Sequence, residues 1–106
     1  MATRSSNTDD GTGLPTTVVD DLLAVENRRR ALSILDRRDE PMVVERLATA
    51  VVADREDCPE SDVARADRDA MCEELYTEHL PKLTATSVVE YDSMLGTVEL
   101  ARRIVD

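Results

Sequence analysis

The residues able to do chemistry are few. His79 is the only histidine, Cys58 and Cys72 are the only cysteines, and Lys82 is the only lysine. A zinc site built from this set would need both thiols, His79 and a carboxylate, yet no CxxC or HxxxH spacing brings such ligands together. A disulfide would be unusual in a cytosolic chain. The plainer expectation is a loop thiol at Cys58 and a half-buried helical thiol at Cys72. No Ser/His/Asp order, glycine-rich phosphate loop or carboxylate pair around a pocket marks a catalytic centre. No catalytic residue, metal or cofactor is therefore expected, and the chain reads as a non-enzyme. What remains is surface chemistry, and its densest element is Arg28-Arg29-Arg30. These side chains can contact phosphates or pair with Asp20, Asp21, Glu26 and a later acidic loop as a solvated face. Pairing is the stronger expectation in so acidic a chain.

The charge balance limits the setting. The 106 residues hold 23 acidic and 13 basic side chains, for a net charge of -10, and all basic residues but Lys82 are arginine. Acid excess with almost no lysine suits a chain that stays soluble in molar salt, where self-repulsion is screened within about 3 Å. A GC-rich genome also favours arginine, but does not account for the acids. Phe and Trp are absent, so the core must be aliphatic, and the length suits one domain. No apolar run approaches the roughly 20 residues of a membrane span, and the opening residues lack the apolar middle of a signal peptide. A cytoplasmic protein without membrane contact is expected.

The elements that must position these groups follow from periodicity. Residues 1–17 are small and polar, with two Gly and one Pro, and predict a disordered tail ahead of a domain spanning 18–106. A helical stretch follows from Val18 to Arg38, capped by Thr17, with a possible break at Asn27–Arg30 into a short leading helix and a longer second one. Asp39-Glu40-Pro41 ends it. Met42-Val43-Val44 suits a brief strand, and Glu45–Asp54 a helix. Arg55–Ala66 reads as an acidic loop, and Asp67 as the cap of a last long helix that carries Met71, Cys72, Leu75, Tyr76, His79, Leu80 and Leu83 inward or at its flank. Pro81 should kink or loosen that helix. Val88–Tyr91 and Thr97–Leu100 alternate around a loop containing Gly96, the signature of a β-hairpin. Tyr91 is expected to pack that hairpin onto the core, and Ala101–Asp106 to form one more helical turn.

Helix, short strand, helix, helix and hairpin is the order of a winged helix-turn-helix: mainly α, a tri-helical core with a small β-hairpin as wing. Leu23–Leu35, with its polar-arginine stretch before Ile34-Leu35, resembles the opening helix of arsenical-repressor-type transcriptional regulators. Glu45-Arg46-Leu47-Ala48 is similar to the start of their next helix. Leu75–Leu83 running into Val88–Asp92 resembles their recognition helix and wing. His79-Leu80-Pro81-Lys82-Leu83 and Val88-Val89-Glu90-Tyr91-Asp92 look closer still to a haloarchaeal family of short winged-helix domains of unknown function. The resemblance covers Leu22 to Leu100. It implies a DNA-binding transcriptional regulator, a homodimer on double-stranded DNA. The repressors' metal-binding cysteines have no equivalent here, so metal sensing does not carry over. Glu78 stands where they commonly carry arginine.

On that reading Arg68, Thr77 and Lys82 are the contacts on the third core helix, Ser93 and Thr97 those on the wing, and Arg28, Arg29 and Arg30 further phosphate contacts. The third-helix segment nevertheless carries five carboxylates against Arg68 and Lys82, which opposes phosphate approach. The alternative is a winged-helix protein-interaction module that does not bind DNA directly, with Met94 and Leu95 at the hairpin tip meeting a protein partner.

Overall fold

A computed structural model describes residues 14–102. Helix α1 (Thr16–Leu22) leads into α2 (Glu26–Arg38), strand β1 (Met42–Val43), α3 (Val44–Glu56) and a single 3-10 turn, Glu60–Asp62. Helix α4 (Arg65–Glu74), a π-helical turn (Leu75–His79) and α5 (Leu80–Ala85) then run on into β2 (Val89–Asp92) and β3 (Thr97–Leu100). This is a mainly helical domain with a small antiparallel sheet, in the winged-helix arrangement. Among the described residues no helix is long and apolar enough to cross a membrane. Most of the tail expected over 1–17, and the end of the helical turn expected over Ala101–Asp106, lie outside the described residues.

The first helical stretch divides. Thr17 caps nothing: α1 starts at Thr16 behind Pro15, which makes no side-chain cap bond. Leu23, Ala24 and an extended Val25 (φ -99°, ψ 124°) separate α1 from α2. In α2 the buried positions are Arg28, Ala31, Leu32, Ile34 and Leu35, the spacing of one helical face. Asp39 (φ 54°) and Asp57 (φ 57°) stop α2 and α3 in the left-handed region, which aspartate tolerates better than most non-glycine residues. Leu32, Leu35, Leu47, Leu80 and Leu83 are all buried in one aliphatic cluster. Val51, Val52, Leu75, Val88 and Val98 complete its centre.

The sheet order is β1-β3-β2, antiparallel throughout. Met42 and Tyr91 both pair with Val98, and Val89 pairs with Leu100. By strand alternation these residues share the side of the sheet turned to the helices. Val43 and Asp92 pair with Thr97, and Glu90 with Glu99, on the opposite side. In the hairpin turn Asp92 Oδ1 accepts from the Met94 and Leu95 amides at 2.9 and 3.2 Å. Gly96 takes φ 68°, the position where a side chain would be strained. Ala101 and Arg102 both donate backbone N–H groups to the Val88 carbonyl, which ties the strand end back to the sheet.

Candidate functional site

The third helix of the core and the wing are the surfaces to examine. Helix α4 begins at Arg65 behind Ala64, so Asp67 lies inside the first turn and is not its cap. Pro81 does disturb the helix, in a defined way. In α-helical register its ring would press on the Thr77 carbonyl four residues back, and it has no N–H to donate. The chain widens just before it: Leu80 N–H reaches the Leu75 carbonyl, five residues back. Such single π-turns re-aim the side chains that follow. His79, at the end of this one, is completely buried.

The reason a histidine can sit there is a polar network. Arg28 donates from Nε to His79 Nδ1 at 3.2 Å, and from Nη1 to the carbonyls of Asp21 (3.1 Å) and Leu22 (3.3 Å). His79 Nε2 lies 2.8 Å from Glu74 Oε2, which also accepts from Asn27 Nδ2 at 3.1 Å. Because Nδ1 accepts from a guanidinium, the proton sits on Nε2 and is donated to Glu74. Burial acts to raise the Glu74 carboxyl. The hydrogen bonds from His79 and Asn27, with the nearby charges, outweigh it and leave the carboxyl below its ordinary value. Arg28 therefore closes the C-terminal end of α1 and bridges it to the third helix.

For the arginine cluster the expected pairing holds at Arg30 with Glu26, while Arg28 departs from the solvated face expected of it. Arg28 is only 4% exposed, and a guanidinium already shared among three acceptors cannot reach a phosphate. Arg29 remains exposed but donates to the Leu23 carbonyl at 2.6 Å. Arg30 pairs with Glu26 (3.0 Å) and Asp54 (3.3 Å). The pairing partners are thus Glu26 and Asp54, with Asn27, His79 and backbone carbonyls as further acceptors; among the described residues Asp20 and the acidic loop take no part in it, and Asp21 contributes only its carbonyl.

The remaining candidates do not converge. Arg68 is half-buried beside Asp69 (3.3 Å) and faces a cleft with Glu45, Arg46 and Thr49 of α3. Lys82 reaches the other way, to Asp21 of α1 at 3.3 Å. Thr77 is exposed, its hydroxyl donating to the Glu73 carbonyl at 2.8 Å. Ser93 is exposed in the turn, and Thr97 is half-buried at the middle of the sheet's outer side. Met94 (93% exposed) and Leu95 (69%) project from the hairpin tip without apolar neighbours in the core. Tyr91 is not packed into the core as expected. It is 38% exposed and meets Tyr76 of the π-turn edge-on, ring centres 6.2 Å apart, joining wing to helix through an aromatic pair.

Two features escaped the linear reading. Arg46, in the first turn of α3, borders a small cleft of about 130 Å³ with Arg38 and Glu40; nothing in its local sequence distinguished it from other exposed arginines. Glu90 and Glu99 are direct cross-strand neighbours, a relation that only the register of the hairpin reveals. Cys58 and Cys72 are both free and half-buried, as expected of a loop thiol and a helical thiol. Desolvation, with Glu45 beside it, raises the Cys72 thiol. Among the described residues no group of three or more His, Cys, Asp or Glu is placed to hold a metal ion.

Electrostatically the third helix and wing are acidic. Asp67, Asp69, Glu73, Glu78, Glu90, Asp92 and Glu99 are exposed. The cations on these elements are Arg65, Arg68 and Lys82, and the last two already hold Asp69 and Asp21.

Fold and surface together define a small winged-helix-like domain with an acidic third helix and wing. The sequence model of a domain of unknown function (DUF7344) matches residues 20–99, and the chain belongs to that family. Comparison with curated proteins and with solved structures gives no match.

Proposed function

We propose that this domain is a winged-helix protein-interaction module that does not bind DNA directly. The observation that carries the reading is the balance of charge on the elements a winged helix ordinarily turns to DNA, its third helix and wing. Seven exposed carboxylates there oppose three cations, two of them already engaged. At about 0.1 M salt the screening length is about 10 Å, and a phosphate backbone is repelled. At about 1 M salt the repulsion is screened to about 3 Å, but little is gained by releasing counterions into so concentrated a solution. An acidic surface beside the exposed Met94 and Leu95 suits a protein partner. The acid excess and the use of arginine for lysine support a salt-adapted, haloarchaeal-type cytoplasm as the setting proposed for the module.

One observation favours a second reading, a homodimeric DNA-binding transcriptional regulator of the arsenical-repressor type. Arg46 lies exposed in the first turn of α3 with no ion pair among the described residues, where the helix N-terminus adds partial positive charge. In that reading Arg46, Lys82 and Arg68 contact phosphates while Thr77, Ser93 and Thr97 approach the groove. Anisotropy titrations on native genomic fragments separate the two, run at every salt concentration where the domain is folded. The interaction reading expects no fragment preference and no retention. Fragment-specific binding that weakens uniformly in Lys82→Ala, with a salt slope smaller by about one, overturns it.

A further inference from the structure

We infer that the outer side of the β1-β3-β2 sheet is the docking surface, and that its occupant is an extended segment of a partner protein carrying arginine or lysine two residues from an apolar side chain. The inference rests on the interaction reading and specifies where and with what chemistry that interaction is made. Strand register places Glu90 directly across from Glu99, and the next outward row runs Val43, Thr97, Asp92. Like charges directly opposed across a sheet disfavour the pairing, so the fold itself gains nothing from this arrangement. Neither glutamate side chain has a hydrogen bond or ion pair among the described residues, while that of Asp92 is used in its own turn.

Around the two carboxylates lies a shallow depression of about 530 Å³, bordered by Pro41, Asp92, Leu95 and Thr97. Val43 is 43% exposed and Leu95 69%, so apolar surface adjoins the paired charges. A guanidinium or ammonium group set between Glu90 and Glu99 would relieve their repulsion. An apolar side chain in the neighbouring row would cover Val43 or Leu95. The two rows are two residues apart along each strand, about 6–7 Å. An extended partner repeats its own side chains on one face at the same interval. DNA, whose charge has the opposite sign to this requirement, does not fit.

The probe is a fluorescent octapeptide repeating Arg-Thr-Val-Thr, with a Glu-Thr-Val-Thr octapeptide as control, titrated in salt where circular dichroism shows the domain folded. Binding of the arginine peptide at least tenfold tighter than the glutamate peptide is expected. The double variant E90Q/E99Q and the variant Leu95→Ser should each weaken it at least fivefold. E90Q/E99Q removes a like-charge pair, so it should fold at least as well as wild type. E73Q/E78Q on the third helix should leave the peptide affinity unchanged. If E73Q/E78Q weakens binding and E90Q/E99Q does not, the sheet is the wrong surface although the interaction reading survives. Failure of the arginine peptide to bind overturns the inference; fragment-specific DNA binding alongside that failure overturns the interaction reading as well. Self-association of wild type that disappears in E90Q/E99Q assigns the surface to a second copy of the chain, and also overturns the inference.

Discussion

Replacing Arg28 with methionine tests the central structural claim, that this arginine belongs to the interior. Methionine keeps most of the aliphatic stem and removes the guanidinium. Two acceptors then lose their donor, His79 Nδ1 and the carbonyl of Leu22, while the Asp21 carbonyl keeps the Ala24 amide at 3.2 Å. A buried acceptor without a partner costs about 1–3 kcal/mol. Two of the Arg28 bonds are buried, and that to the Asp21 carbonyl is partly so, so water can replace part of the third. The sum is about 3–5 kcal/mol, the usual cost of removing one member of a buried charged network. Urea unfolding followed by circular dichroism, at fixed salt, measures it. With a slope of about 1–1.5 kcal/mol per molar urea, the midpoint should fall by about 2–5 M, or the variant should be unfolded without urea. The double variant R28M/H79L should cost less than the two single changes added, because they share a bond. A midpoint for R28M within about 0.5 M of wild type would refute the reasoning and return Arg28 to the surface.

Acid sensitivity should trace partly to Glu74. Its carboxyl is lower in the folded protein than its ordinary value of about 4.3. Its contribution to stability is therefore complete above about pH 4.3 and is lost as pH falls through the lowered folded value. Unfolding midpoints measured below about pH 4.5 should decline less steeply in E74Q than in wild type; equal slopes would remove Glu74 from the account. Salt should stabilise the whole domain, because a net charge of -10 on one small fold repels itself until screened. The melting temperature should rise steadily between about 0.1 and about 2 M sodium chloride, and a constant value would contradict this.

Much of the architecture was present in the linear pattern. The spacing of Leu32, Leu35, Leu47, Leu80 and Leu83 sets their burial, since an aliphatic stripe at helical period has only one face to hide. The alternation around Gly96 likewise announces the hairpin, because period-two patterning and a residue free to take positive φ are both local properties. Pro81 signalled a disturbed helix for the same reason: its missing donor is covalent. What sequence could not supply was the destination of polar side chains. Arg28, Arg29 and Arg30 are identical in composition and adjacent in the chain, yet successive helical positions differ by about 100° in direction. One points into the core at His79, 51 residues away, while its neighbours stay near the surface. The opposition of Glu90 and Glu99 depends in the same way on strand register. A histidine is tolerated inside an aliphatic core because a guanidinium and a carboxylate converge on it, the carboxylate held in turn by the Asn27 amide, and only the packing of α1 and α2 against the third helix brings them there.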